Sequence, residues 1–510
     1  MSGARYDAIV IGSGIGGLAA AGVLARALGR RVLVLEQHFK LGGFTHTFQR
    51  PGGFHWDVGL HYVGEMGQGN PLRRAMDFIT GGKVDWAKMK DPFETFLYPD
   101  LRFEVPSNGG TYLKKLAGLF PEEEGNLRSY FDDLEKAAQE AQAGAPAEGS
   151  LALQTLGAYL KDRFKDERLK GLLASQWGDY GLPPASASFG IHATIVRHYL
   201  DGGYYPAGSS AVLAASIGAL VREAGGELKV RHRVRRILVQ EGRVTGVEVE
   251  SSRGVEEIST GEVYSDAGAW ATYGELLGGE FVDKGELEEL SSAPRYGAVT
   301  LYLGLKSRCG HLGIHGQNFW IYDGFDHDIT WEKRNLLAEG KAGSCYLSFP
   351  GLKDPQALRP TAEIIAPLDH GVFQKWQAKP WRKRGPDYEG LKARITEALL
   401  SLVESRIPGF RAEVDYSELS TPLSVEHFTG HRGGALYGFP ATPRRYGLKC
   451  LGPKTPVKGL SLVGADAGSL GIAGSMMAGL RGVAVQHGVG VLYKILQGAA
   501  SPVSAKLQRA

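Results

Sequence analysis

Residues 52–64 read GGFHWDVGLHYVG, in which one acid, Asp57, and two histidines, His55 and His61, stand among Phe54, Trp56, Val58, Leu60, Tyr62 and Val63. That mixture suits proton movement inside a dry site, because imidazole titrates near neutral pH and a phenol can donate a hydrogen bond. His61 and Tyr62 are the candidate catalytic residues, with ordinary polar packing as the competing reading. Asp57 is expected to be a structural acceptor for amides or hydroxyls, since buried acids need partners. A second set lies upstream. Gly12, Gly14 and Gly17 form G-x-G-x-x-G, with Ser13 and Gly16 in the same turn and Glu36 further on. The chemistry there is recognition: backbone amides at a helix start attract a pyrophosphate, and an acid after the second strand accepts from ribose hydroxyls.

These residues need particular elements to hold them. Asp7 to Ile11 is a short β-branched run fit for a buried parallel strand. Leu18 to Leu28 is rich in Ala and Leu and reads as a helix, with Gly29 as its stop. Arg31 to Leu35 is a second strand ending at Glu36. Strand, glycine turn, helix, strand and acid in sequence is the context that gives the motif its meaning. Gly12 permits the turn, Gly14 the approach of a pyrophosphate, and Gly17 close helix–strand packing, while Glu36 favours FAD or NAD over NADP. Near the other end, GLSLVGADAGSLGIAGSMMAGLRGVAVQ reads as a strand over Leu460 to Val463, a turn at Gly464 to Asp466, and a helix from Gly474. Between them, Ser209 or Ser210 can cap a helix that Gly225 and Gly226 end. Leu228 to Val239 and Arg243 to Glu250 read as strands around Glu241-Gly242. No second G-x-G-x-x-G follows a strand.

Bulk properties narrow the class. The chain has 510 residues, 43% hydrophobic and 22% charged, which suits two domains or one elaborated domain of a soluble or peripheral protein. A net charge of +3 gives no support to a nucleic-acid partner. Three widely spaced cysteines, Cys309, Cys345 and Cys450, build neither a disulfide framework nor a zinc site, and scattered histidines suggest no metal. No signal-peptide pattern or membrane span is legible, so a cytoplasmic protein is expected. Two stretches suit peripheral membrane contact. In LGAYLKDRFKDERLKGLLASQW the residues Leu156, Tyr159, Leu160, Phe164, Leu169, Leu172 and Leu173 lie partly on one helical side. In KWQAKPWRKRG, Trp376 and Trp381 stand beside Lys379, Arg382, Lys383 and Arg384. Ordinary surface is the alternative for both.

Glu36 is followed by the doublet Gly42–Gly43, then Phe44, Thr45, Gly53, Asp57 and Gly59. This resembles the extended flavin signature of amine oxidases and carotenoid desaturases. GGYYPAGSS, SDAGAWATYGELL, TPLSVEHFTGHRGGALYG and GADAGSLGIAGSMMAGLRG are similar to segments of the phytoene desaturase, carotenoid isomerase and retinol saturase group. VLVLEQHFKLGGFTHTF, WDVGLHYVG, VDWAKMKDPFE and DYGLPPASASFGIHATIVRHYLDGGYYPAGSS resemble the retinol saturase branch. The resemblance covers nearly the whole chain. It implies an α/β fold: a Rossmann-type FAD-binding domain like that of amine oxidases, discontinuous over 1–70, 203–272 and 455–498. An inserted α+β substrate domain takes 71–202 and 273–454, and 499–510 is a flexible tail. It implies that Val234 meets adenine through its backbone. Gly464, Asp466, Gly471, Ile472 and Gly474 would close over the ribityl chain and flavin, with the acid on a ribityl hydroxyl. Tyr204, Tyr205, His427 and Tyr437 would line a substrate channel, with His431 and Arg432 nearby. The implied activity is FAD-dependent saturation of a C=C bond in a hydrophobic polyene. Desaturation or cis–trans isomerisation are the alternatives, with an isoprenoid carrier of the GDP dissociation inhibitor type as the non-enzyme reading. The electron partner stays open.

Overall fold

The computed structural model describes residues 6–497, so the proposed tail lies outside the described residues. A five-stranded, all-parallel sheet carries strands in the order Leu460–Leu462, Val263–Ser265, Ala8–Ile11, Val32–Glu36 and Glu227–Val230. The four residues Ala8–Ile11 and all five of Val32–Glu36 are buried, as strands covered on both faces must be. Helices Ile15–Leu28, Ala211–Glu223 and Gly471–His487 pack together there, with the first and last sharing the core around Leu18, Val23 and Leu480.

A three-stranded antiparallel sheet, Arg233–Gln240, Arg243–Ser251 and Gly254–Ser259, lies beside it. The expected single strand from Leu228 to Val239 is in fact two. Arg231 adopts a left-handed φ of 58°, its amide donates to His38 O at 2.9 Å, and the His232 amide donates to Glu36 O at 2.9 Å. The chain thus leaves the parallel sheet at this bend and enters the antiparallel one. The helix expected from Gly474 begins at Gly471. Ser210 precedes Ala211–Glu223 without a side-chain cap; its hydroxyl donates to Thr45 O at 2.9 Å instead.

A seven-stranded mixed sheet forms the other half, in the order Val414–Ser420, Ala298–Leu305, Thr361–Pro367, Ser344–Ser348, Asn318–Tyr322, Glu94–Leu97 and Arg102–Val105. Only Glu94–Leu97 with Asn318–Tyr322 is a parallel pair. One face meets the helix Pro386–Arg406 over an aliphatic core. The other contributes to an aromatic core with the helices between 109 and 199. The apolar side of 156–173 belongs to that core: Leu156, Tyr159 and Leu169 are fully buried. It therefore offers nothing to a membrane, contrary to the amphipathic expectation. Among the described residues no helix is long and apolar enough to cross a membrane.

Candidate active site: a glycine cradle opening into an aromatic cavity

Three glycine segments from distant parts of the chain meet at the start of the first helix. A Cβ on Gly16 would stand 2.5 Å from Gly464 Cα, and one on Gly43 would stand 2.8 Å from Gly14 Cα. Gly17 packs on the strand behind it, where a Cβ would come 2.5 Å from Gly12 O. Gly42 closes the doublet by donating its amide to Ser13 Oγ at 3.0 Å. Glu36, at the strand end, accepts from the Ser13 amide at 2.9 Å and hydroxyl at 2.6 Å, and from the His38 amide at 2.7 Å.

A cavity of about 2570 Å³ begins at this cradle, well above the roughly 300–1,000 Å³ of an ordinary small-molecule site. Gly12, Ser13, Gly14, Gly16 and Glu36 line one end, with Val234; Gly43, Phe44, Thr45, Gly464's neighbour Ala465, Asp466, Gly471, Ile472 and Gly474 line the middle. Gly17, Gly42 and Gly464 stand behind the wall as packing and turn residues. The Asp466 carboxylate accepts from the amides of Ala269 at 2.8 Å and Phe439 at 2.7 Å. It therefore braces two loops, a role the ribityl-hydroxyl assignment does not include. Asp266, unremarked in the sequence, lies in the same wall beside the glycine turn. Burial, with Glu36 and Asp466 nearby, pushes its carboxyl up to about 7.

The segment 52–64 sits under the middle of this cavity. Its Asp57 is buried; Oδ1 accepts from the Ser210 amide at 2.7 Å, and Oδ2 accepts from the Tyr205 hydroxyl. Asp57 is thus the clamp between the hairpin Thr47–Arg50/Phe54–Asp57 and the loop before the helix Ala211–Glu223. Burial holds its carboxyl above the usual range, and the bonds from Ser210 and Tyr205 pull it back down.

His61 and Tyr62 both line the cavity, but they differ chemically. Burial, with Lys353 nearby, drives His61 down to about 3, so its imidazole is neutral and cannot act as an imidazolium donor near pH 7. Its Nδ1 faces Glu363 Oε2 at 3.5 Å without a hydrogen bond among the described residues. The fully buried Glu363 is itself raised well above its usual range by burial. We read this contact as one between uncharged groups. Tyr62, by contrast, donates to Asp179 Oδ2 at 2.7 Å and stacks on Tyr199, ring centres 4.1 Å apart.

Behind Tyr62 lies a buried polar cluster with no contiguous signature in the sequence. Glu94 Oε2 accepts from Gln176 at 2.7 Å and Oε1 from the Trp320 indole at 3.0 Å. Lys353 Nζ donates to His61 O at 2.9 Å, Ser348 Oγ at 2.7 Å and Asn318 Oδ1. Burial lowers Lys353 to about 7.

The remaining expectations divide. Tyr437 lines the cavity and donates to Gly178 O at 3.0 Å. Tyr204 and Tyr205 do not, because their strand pairs with Trp86–Lys88 and carries Tyr205 inward to Asp57. His427 does not either. On the helix Pro422–Thr429, Ser424, Val425 and Phe428 face the cavity, and helical periodicity turns residue 427 away to stack on Trp381 at 5.7 Å. His431 lines the cavity beside Phe44, at 5.6 Å, whereas Arg432 lies over Trp270.

A parallel dinucleotide-type sheet joined to a mixed sheet, with one cavity spanning both, defines a two-part oxidoreductase. Comparisons agree. A family profile described as an NAD(P)-binding Rossmann-like domain matches residues 10–79. Cyclohexylamine oxidase from Brevibacterium oxydans IH-35A has this fold: TM-score 0.64 at 17% identity, covering 96% of this chain and 99% of that one. All-trans-retinol 13,14-reductase of Rattus norvegicus is 32% identical over 93% of this chain and 85% of its own. Prolycopene isomerase, chloroplastic, of Arabidopsis thaliana is 25% identical over 86% of this chain and 75% of its own. The chain belongs to the all-trans-retinol 13,14-reductase family and is an oxidoreductase, which sets aside the carrier reading.

Proposed function

We propose that this chain is an FAD-dependent saturase that adds two hydrogens across a C=C bond of a hydrophobic polyene, retinoid- or carotenoid-like. The observation that carries the reading is the continuity of the cavity, from the Gly12–Gly16 turn and Glu36 to walls of Trp177, Tyr296, Trp320, Tyr322, Tyr346 and Tyr437. The cradle fits a dinucleotide: the glycine turns pack backbone to backbone and leave Gly12, Ser13, Gly14, Gly16 and Gly43 on the cavity wall, and Glu36 stands where a ribose would be met. Glu36 and Val234 would hold the adenosine end, the Gly12–Gly16 turn the pyrophosphate, and Gly43–Thr45 with Gly471–Gly474 the flavin end. Bound FAD would supply two-electron hydride chemistry. The chain orients the polyene between aromatic faces, excludes water, and provides the proton. The flavin domain would gather 1–70, 203–272 and 455–498, and the substrate domain the remainder to 454.

Isomerisation by the same site is the second reading, favoured by the Arabidopsis relative. Anaerobic turnover of retinol, carotenoids and unsaturated fatty acids, with photoreduced and with oxidised protein, separates these by mass. A gain of two hydrogens supports saturation, a loss supports desaturation, and altered retention at constant mass supports isomerisation. A purified protein without releasable FAD would defeat the whole reading.

We place the protein in the cytoplasm, in keeping with free buried Cys309, Cys345 and Cys450, with peripheral contact to a membrane as its source of polyene. Phe39 and Trp381, 48% and 37% exposed, meet Phe428 at 6.2 and 5.1 Å at the cavity rim. Lys379, Arg382 and Lys383 are exposed alongside, a combination that suits an anionic lipid surface.

A further inference from the structure

We infer that Asp179, on the cavity wall and bonded to the Tyr62 hydroxyl with Glu94 behind it, is the catalytic acid that supplies the proton of the reduction. This rests on the saturase reading above. Asp179 ends the short turn Trp177–Asp179, and the strand Glu94–Leu97 brings Glu94 to the same place from another part of the chain. The Tyr62 hydroxyl donates to Asp179 Oδ2 at 2.7 Å and also faces the Glu94 carboxyl. Glu94 is fully buried, whereas Asp179 and Tyr62 reach the cavity.

The surroundings decide the protonation. No cation forms an ion pair with Asp179 among the described residues: Lys353 Nζ donates to His61 O, Ser348 and Asn318, and its charge and the Tyr62 hydrogen bond draw Asp179 down by less than burial and Glu94 raise it. The other titratable groups facing Asp179 are tyrosines, Tyr180, Tyr199, Tyr296, Tyr322, Tyr346 and Tyr437. Two carboxyls this close in a dry site cannot both ionise cheaply. Burial and Glu94 hold Asp179 well above the usual carboxylate range, and burial raises Glu94 as well. With Tyr62 occupying Oδ2, the remaining oxygen is left to carry a proton towards the polyene.

The step balances. The C=C π pair forms a new C–H bond with the Asp179 proton as its O–H bond breaks, leaving the carboxylate. The neighbouring carbon would receive hydride from reduced flavin, the two-electron donor that the Gly43–Thr45 and Gly471–Gly474 segments would hold. The carboxylate regains a proton from water after product leaves.

The test uses the flavin-loaded full chain. General acids contribute about 10²- to 10⁴-fold, so Asp179→Asn should lose turnover by roughly that factor while keeping flavin and polyene binding. Wild-type turnover should fall as pH rises through the titration of the acid. Glu94→Gln removes the neighbouring negative charge, so it should keep turnover at low pH and move the falling limb to lower pH. A merely structural Glu94 would not shift that limb. Wild-type-like turnover of Asp179→Asn, or an unmoved limb in Glu94→Gln, overturns the assignment; if Asp179→Asn does not fold, the limb decides. Independently of turnover, the infrared carbonyl band of a protonated carboxyl should be present at neutral pH in the wild type and reduced in Asp179→Asn. An unchanged band overturns the assignment. Failure of the wild type to reduce any polyene, with that band change intact, overturns the saturase reading instead.

Discussion

Gly16 and Gly464, far apart in the chain, meet backbone to backbone: a Cβ on Gly16 would lie 2.5 Å from Gly464 Cα and 2.6 Å from Gly464 N. Gly16→Ala should therefore force the two turns apart. Overpacking costs roughly 1–3 kcal/mol, which is about five- to 150-fold if taken from cofactor affinity. Gly16→Ala should purify with little bound flavin, while Gly118→Ala, on an open helix face with nothing within 4 Å, should be indistinguishable from wild type. Full flavin content in Gly16→Ala would contradict the cradle.

The clamp at Asp57 makes a different prediction. Asp57→Ala strands the Ser210 amide and the Tyr205 hydroxyl in the interior. An unpaired buried group costs roughly 1–3 kcal/mol, so a loss of about 2–4 kcal/mol in chemical denaturation is expected. Asp57→Asn retains an acceptor for the Ser210 amide and should cost less than half as much while leaving turnover intact. Equal stability of the two variants would remove the clamp.

His61 should prove dispensable as an acid. Its imidazole is held neutral, so His61→Gln should keep turnover within about threefold, far from the 10²- to 10⁴-fold loss of a general acid. A hundred-fold loss with flavin retained would restore His61 to the chemistry.

Asp266 gives the molecule a defined pH dependence without cofactor. Its folded carboxyl is raised to about 7, chiefly by burial, from an ordinary 3.8. Between those values the folded chain holds a proton that the unfolded chain has released. Stability from this group is therefore complete below the lower value and is lost as pH rises to the upper. Asp266→Asn does not titrate, so the urea midpoint of that variant should gain on wild type from pH 4 to pH 7 and then run parallel. A gap independent of pH would refute the placement.

The aromatic rim predicts lipid dependence. Wild type should sediment with anionic vesicles, and Trp381→Ser combined with Lys383→Glu should not, at unchanged turnover of a detergent-dispersed polyene. Equal sedimentation of both proteins would dismiss the rim as a docking surface.

The glycine cradle was legible because its logic is local. A β-branched run, Gly12–Gly17, an Ala/Leu-rich helix and Glu36 follow each other directly, and backbone conformation and burial act over those few residues. The split at Arg231 was not legible, because a β-branched run reads the same whether it serves one sheet or two. Tyr204 and Tyr205 were misplaced for a related reason: alternation along a strand gives two faces, and only pairing with Trp86–Lys88 says which face meets Asp57.

By itself, then, the sequence determined a Rossmann-type α/β chain with Glu36 at the end of its second strand and residues 52–64 close behind. Tertiary structure alone decided the polar cluster at the far end of the cavity. Tyr62, Glu94, Asp179 and Lys353 come from four separate segments, and no spacing connects them. Their protonation is set by burial and by one another, so it exists only once the mixed sheet has closed around them and removed the water that would otherwise screen each charge.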